Sequence, residues 1–558
     1  MNKLIVPPVA VIAVVTAAVF YGLYAFSQTG VYIASFIFFT VLLLLCVLLL
    51  SLTAIAAAGK LQNRNLKLRE QSCRTYRTAI HIRRVRFAVW FVLCIAAGAA
   101  IGSYSALALQ KKQRPPQTLA ALSAVRTVLA ELTGEPVPAG TDYYRIPVSL
   151  IACTTGRNEQ FSASGAVQLL VPPALVRGTY AGGVTRIGEA VQSHTVPLLH
   201  GTAAFADYLQ NPEVCRFYVR GMRLSMIGRF SKTGTVFYAK PVQPVFLGWN
   251  SPFSRLRAFF RFAFMRLLYS WGDAGGLLLA LLAADKAFLP AECTTAFRNA
   301  GLAHILALSG MHLSLIGTAA LQGGRIFGHR KRAAWFSLAA VCLFVWFAGS
   351  SPSLNRALGM VCIAAAGEVL GLKPPPLSVL CSMLTMHIAI GSTDAITLGF
   401  MLSYGACAGI IIFGDACAHL MEGKIPPVAA ESISASVGAQ LFTAPIVIAS
   451  IDAIAAVGVI ASCTVSPLVS VFLIAGLICI PLALLCPPIS LLLGYGLNAA
   501  YRIIFALADF FARMPLITLE TGAGRLIFSA AAFAIGICCA VWAYCRNKRV
   551  IARLPLLT

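Results

Sequence analysis

The sequence predicts a polytopic α-helical membrane protein of about twelve spans, interrupted once by a β-rich segment. Three observations carry that prediction. The chain has 558 residues, of which 59% are hydrophobic and only 11% charged, and its mean hydropathy is +0.81, well outside the range of soluble globular proteins. Apolar runs near the ~20 residues that a helical span needs recur along the chain. One long stretch, 110–252, contains no such run.

The first apolar run, Val9 to Phe26, is followed at once by a second, Val31 to Ala57. No A-x-A-like cleavage site separates them, so the first run is expected to be an anchor rather than a removed signal. Between Lys60 and Arg86 stand nine basic residues against Glu70 alone, which places that loop in the cytoplasm by the positive-inside rule. The third run, Phe87 to Leu109, then delivers 110–252 to the outside. Basic clusters at Arg325–Arg332 and Arg546–Arg553 should also be cytoplasmic, which requires an even number of spans between them. The runs near 333–349, 355–371, 376–391, 396–414, 430–450, 454–480, 489–511 and 524–545 satisfy that parity, with 301–321 preceding them. The expected organisation is a three-span region at 1–109, an extracytoplasmic domain at 110–252, an interfacial part at 253–299, a helical membrane domain at 300–546 and a basic tail at 547–558. The expected location is the cytoplasmic (inner) membrane, multi-pass.

Seventeen cysteines would suggest a disulfide scaffold, yet most, such as Cys94, Cys342, Cys362 and Cys407, fall inside spans, where cysteine packs as a small hydrophobe. Cys153 and Cys215 fall in the external segment, where oxidation is permitted. They are either a disulfide or two buried thiols.

The external segment reads as β structure: TDYYRIPVSLIACTT, EQFSASGAVQLLVPP, EVCRFYVRGMRLSMIG and TGTVFYAKPVQPVF are separated by Gly, Pro and Asn joints. Short strands over about 140 residues suit a small barrel such as an OB-fold. In CRFYVRGMRLSMIGRF, inward Phe217 and Val219 would leave Arg216, Tyr218 and Arg220 outside. A bulge at Gly221 would then shift the parity, turning Met222, Leu224 and Met226 inward and Arg223 outward. Arg229, Phe230 and Lys232 follow in the next turn. Cations interleaved with aromatics on a small barrel suit single-stranded nucleic acid. The segment's 14 basic against 7 acidic residues agree in sign, although the same charge would serve solubility or contact with anionic lipid.

Next comes SPFSRLRAFFRFAFMRLLYSW, with Phe253, Leu256, Phe260, Phe264, Leu267 and Trp271 at helical spacing and Arg255, Arg257, Arg261 and Arg266 mostly elsewhere. This predicts an amphipathic helix lying on membrane lipid, whose arginines could guide a polyanion. The apolar run Gly275 to Ala284 is too short to cross and predicts a re-entrant or interfacial segment.

Residues 301–317 read GLAHILALSGMHLSLIG. Polar groups at membrane depth are costly unless paired or beside water, which draws attention to His304, Ser309 and His312. On a regular helix the two histidines lie about 12 Å apart along the axis and cannot share a metal ion. There is no H-E-x-x-H, no G-x-S-x-G and no G-x-x-x-x-G-K-[ST], so neither a hydrolase motif nor a nucleotide-driven motor is present. The expectation is a helix broken at Ser309-Gly310, with no cofactor and no metal.

An ordered series of motifs resembles the ComEC competence family, the inner-membrane channels of DNA uptake. FRNAGLAHILALSGMH is similar to that family's G-L-x-H-x-L-x-x-S-G-x-H signature, SPSLNRALGM to its S-P-S-x-x-R-A-x-x-M segment, and LGFMLSYGA to its G-F-x-L-S-[FY]-x-A segment. The resemblance spans about 280 to 545, and the β segment falls where the family has its OB-like domain. Members often carry a metallo-β-lactamase-like domain with an H-x-H-x-D-H motif; that motif is absent from this sequence, so no nuclease or other enzymatic activity is expected. In LLAADKAFL, Ala284 stands where the family usually has Gly before Asp285.

The resemblance implies a channel for single-stranded DNA. His304, Ser309, Gly310 and His312 would help form its constriction. Asn355 and Arg356 would contact phosphate or hold the pore helices in register, and Phe400 and Ser403 would pack or line the same region. A cytoplasmic ATPase or helicase and a separate nuclease are the implied partners, with a homo-oligomer also open. A small-molecule or lipid transporter and an intramembrane hydrolase using Ser309 and His312 are the rival readings.

Overall fold

The computed structural model of the chain describes residues 8–27, 93–110, 117–118, 121–139, 143–172, 218–231, 234–242, 244–286, 289–326, 330–372, 374–421, 426–450, 453–455 and 457–518, with a few single positions between 524 and 534. The expected second span, the basic loop 60–86 and the basic tail lie outside the described residues.

The structure is mostly helical, with one sheet domain. Helix α1 (Pro8–Ser27) and helix α2 (Leu93–Gln110) cross closely: a Cβ on Gly98 or Gly102 would fall within 2.8 Å of the α1 backbone carbonyls of Ile12 and Thr16. This is small-residue packing of the kind that joins helices in lipid. The sheet domain follows. After it come α3 (Pro252–Tyr269), α4 (Gly272–Ala283), α5 (Ala291–Asn299), α6 (Gly310–Arg325), α7 (Arg330–Ala348), α8 (Pro352–Val369), α9 (Pro376–Ile390), the single turn α10 (Ser392–Ala395), α11 (Leu398–Met421), α12 (Pro427–Ser450), α13 (Gly458–Leu485) and α14 (Ser490–Ala512).

Among the described residues four helices are long and apolar enough to cross a membrane: α2, the stretch Ala430–Ile448 of α12, α13 and α14. Shorter apolar helices lie within α1, α4, α7, α9 and α11. Helix α13 leaves Val471, Ile478 and Leu484 exposed, an apolar surface that water would penalise and lipid would not.

The sheet domain contains β1 (Gln117–Thr118), β2 (Val125–Leu132), β3 (Val137–Pro138), β4 (Tyr144–Thr155), β5 (Gln160–Val171), β6 (Met222–Phe230), β7 (Val236–Ala239) and β8 (Val245–Trp249). Strand β2 pairs antiparallel with β4, β4 with β5, β6 with β7, and β2 with β6. Strand β7 runs parallel to β5, so the pairings return to their starting strand. Alternation writes the interior: Val128, Leu132, Ile146, Val148, Leu169, Met222, Leu224 and Phe237 are buried, each worth about 1.5–3 kcal/mol of burial.

Two expectations are corrected here. Tyr218 is buried rather than exposed, because residues 218–221 form a turn into β6 instead of a bulged continuation of it. Gly221 supplies that turn with φ +91°. Helix α3 is amphipathic with Phe253, Leu256 and Phe260 exposed, but Arg257 and Arg261 are buried instead of free to guide a polyanion. The run 275–284 is helix α4, buried from Ala274 to Ala283, with its N-terminus held by Asn498, which donates to the Trp271 carbonyl at 2.7 Å and accepts from Ala274 N–H at 3.2 Å.

Candidate functional site

The polar residues of GLAHILALSGMHLSLIG do not share one helix. Helix α5 ends at Asn299, Gly301 takes φ +75°, residues 302–309 run as turns, and α6 begins at Gly310. Ser309 is the N-cap, and His312 answers it. The Ser309 N–H donates to His312 Nδ1 at 3.2 Å, and the Ser309 hydroxyl lies 3.0 Å from the same nitrogen. The expected break at Ser309-Gly310 is therefore the start of α6, and the segment before it is not helical. His312 is fully buried, whereas His304 is exposed, with Nδ1 3.2 Å from the Gly301 carbonyl. The two histidines face different surroundings, and no metal-holding cluster of His, Cys, Asp or Glu occurs among the described residues.

Arg356 of α8 comes to this break. Its Nη2 lies 3.6 Å from the position a Cβ on Gly310 would take. The side chain is buried, and its guanidinium carbon sits 5.9 Å from the ring centre of Tyr404. Tyr404 in turn bonds His387 Nδ1 at 3.2 Å, and His387 Nε2 faces Asp394 Oδ2 at 3.3 Å. With Nε2–H donating to the carboxylate, Nδ1 is left to accept from the tyrosine hydroxyl. Phe400 is buried against His387, their ring centres 5.0 Å apart, and the Ser403 hydroxyl bonds the Ser353 hydroxyl at 3.0 Å. Asn355 turns away, donating to Ser350 Oγ at 2.8 Å. Tyr404, His387 and Asp394 were not singled out from the sequence; S-Y at 403–404 was noticed only as part of a motif. Beside the break, Gly310, Leu313, Gly317, Ser337, Val341 and Ala357 line a groove of about 260 Å³.

On the sheet domain the register defines a row. Arg145 of β4 is opposite Leu170 of β5, Leu170 is opposite Tyr238 of β7, and Tyr238 is opposite Arg229 of β6. Directly opposed residues share a face; Arg145, Tyr238 and Arg229 are exposed on it. Tyr143 lies against Tyr238, their ring centres 6.1 Å apart. Arg220 is exposed in the turn before β6, and Phe230 packs edge-on against Phe237. Arg223, expected to be a free cation, is engaged instead: Nη2 donates to Asn250 Oδ1 at 3.2 Å and Nε lies 3.5 Å from Glu131. Arg216, Lys232 and Cys215 lie outside the described residues; Cys153 is buried in the sheet core.

The arginines of α3 divide. Arg255 is exposed and Arg266 half-buried. Arg257 and Arg261 grip the two oxygens of Glu135, at 2.9 Å and 2.6 Å, and so fix the sheet domain to the helices. Arg261 also donates to the Ala283 and Ala348 carbonyls at 3.3 Å and 3.0 Å, and Arg257 to Trp346 at 2.8 Å. These carbonyls end α4 and α7, where a cation offsets the helix dipole.

Fold and site together define a membrane protein with apolar helices, a latched sheet domain and a cationic break at the start of a buried helix turn. The family model for the competence protein matches residues 281–546, somewhat less than half of the chain. The chain is similar to "ComE operon protein 3" of Bacillus subtilis (strain 168), 27% identical over 142 residues, which is 25% of this chain and 18% of that one. The chain thus aligns with less than a fifth of that relative's length. No solved structure matches the chain.

Proposed function

We propose that this protein is a channel that takes up single-stranded DNA and passes it across the cytoplasmic membrane. In this reading the chain crosses the membrane about twelve times. Its sheet domain is an OB-like barrel on the outer side, since the strand circuit β2, β4, β5, β7, β6 fits a five-stranded Greek-key barrel. The observation that carries the reading is the row Arg145, Leu170, Tyr238, Arg229. Two cations flank an exposed ring at strand spacing, so that phosphates meet guanidinium groups while a base stacks on tyrosine. The cationic break at Gly310 and Arg356 continues that path into the helices. A cytoplasmic ATPase or helicase supplies the work, and a separate nuclease supplies the single strand.

The test uses cells with and without the gene, then the full chain carrying Arg145→Glu and Arg229→Glu together. Loss of the gene should abolish DNA uptake. The double variant should bind single strands at least about tenfold more weakly, with a shallower dependence of affinity on salt because fewer counterions are released. Tyr238→Ala should weaken binding by ~1–3 kcal/mol without changing the salt slope. Undiminished uptake in the deletion strain refutes the function.

A further inference from the structure

We propose that the first turn of α6 and Arg356 form a binding site for one phosphodiester anion. The proposal rests on the channel reading only for the source of that anion. Unpartnered donors occur in and beside this turn. Arg356 is 9% exposed, and its Nε is buried with no hydrogen-bond partner; among the described residues no carboxylate stands within ion-pair distance of it. It lies against the Tyr404 ring, whose hydroxyl bonds His387, and His387 in turn holds Asp394. His312 supplies the second donor. Because Nδ1 accepts from the Ser309 N–H, the neutral ring carries its proton on Nε2, which is buried and unpartnered. The third set is the leading amides of Gly310 and Met311 in α6, a 16-residue helix in which the Ser309 side chain already caps the His312 N–H; these first-turn groups carry the positive end of the helix dipole.

Arg356 Nη2 lies 3.6 Å from the Cβ position of Gly310, the first residue of that turn. The guanidinium and the helix end therefore address the same space. Donors without acceptors call for a ligand that only accepts, and a buried cation at membrane depth calls for one negative charge to offset it. A phosphodiester is both: a monoanion with two free oxygens for a guanidinium and a helix end. The DNA backbone and a phospholipid headgroup both present it.

Gly310 allows a direct test. A Cβ there meets only ordinary contacts with Ala357 and Arg356, so Gly310→Asp places a tethered carboxylate in the site. Unfolding temperature of the full chain in detergent is measured alone and with dimethyl phosphate, oligothymidylate or phosphatidylglycerol. The native chain should be stabilised by a phosphodiester probe. Gly310→Asp should be more stable than native without any probe and should no longer respond to one, whereas the uncharged Gly310→Asn should gain nothing. Arg356→Gln should bind the probe about tenfold more weakly, the loss of a charge-assisted hydrogen bond. A response to oligothymidylate but not to the lipid assigns the site to the strand, and the reverse assigns it to a headgroup; both support the site. If no probe stabilises the native chain, or Gly310→Asp is no more stable than Gly310→Asn, the site is overturned. Gene-dependent uptake with no probe response refutes the site alone, and probe binding with gene-independent uptake refutes the channel reading alone.

Discussion

Ala284 holds the left-handed conformation, φ +56° and ψ +19°, at the end of α4. Its N–H and that of Asp285 both reach the Leu279 carbonyl, so the geometry closes the helix and cannot simply relax. A residue with a Cβ pays roughly 1 kcal/mol or more there relative to glycine. Ala284→Gly should therefore stabilise the full chain by about 1 kcal/mol, read as a higher unfolding temperature in detergent. An unchanged or lower value would show that the greater freedom glycine gives the unfolded chain outweighs the relief. This position was visible in the sequence only as a departure from the family's glycine; its conformation was not. Tyr218 and Tyr238 illustrate the same limit. Alternation in VRGMRLSMIG correctly turned Met222, Leu224 and Met226 inward, but a turn at 218–221 cancelled the parity before it. The exposed ring that flanks two arginines is Tyr238, and only the strand register brings it to Arg229 and Arg145.

At the scale of elements, the sequence showed that α3 is amphipathic and not that two of its arginines are buried. Its aromatic stripe fits lipid and its arginines fit water, so spacing favoured arginines outside. What decides is Glu135, 122 residues before Arg257 in sequence, together with the carbonyl ends of α4 and α7. No local pattern announces such partners. A buried guanidinium that meets both a carboxylate and helix ends has its charge offset, and removing one member leaves the others unpaired. Glu135→Gln should destabilise the full chain by about 3 kcal/mol and free the sheet domain from the helices, measured as earlier proteolytic cleavage near 250. Cleavage and unfolding temperature equal to native would mean the helices hold the domain without the latch. The break before α6 was more legible, because Ser followed by Gly is a local stop and start signal. The turns at 302–309 were not, since their apolar residues read as part of a span.

For the whole molecule the strongest sequence signal is charge asymmetry, and it makes a claim about sides that side-chain contacts do not. The loop 60–86 carries nine basic residues against one acidic residue, and positive charge of that density next to spans is retained in the cytoplasm. Three apolar runs precede the sheet domain, so the rule predicts that the domain lies outside. The turn at Gly156–Glu159 joins β4 to β5, is exposed, and contains Asn158 at φ +66°. It tolerates insertion because it lies beyond the paired core. An epitope inserted after Arg157 should be reached by antibody in intact spheroplasts, while a second epitope following Thr558 should be reached only after the membrane is opened. The pair matters more than either alone: exposure of both would break the even parity between Arg332 and Arg546, and protection of the first would place the sheet domain inside. In that second case the row of Arg145, Tyr238 and Arg229 would lie on the cytoplasmic side, and under the proposed channel reading it would meet a strand after passage instead of before it.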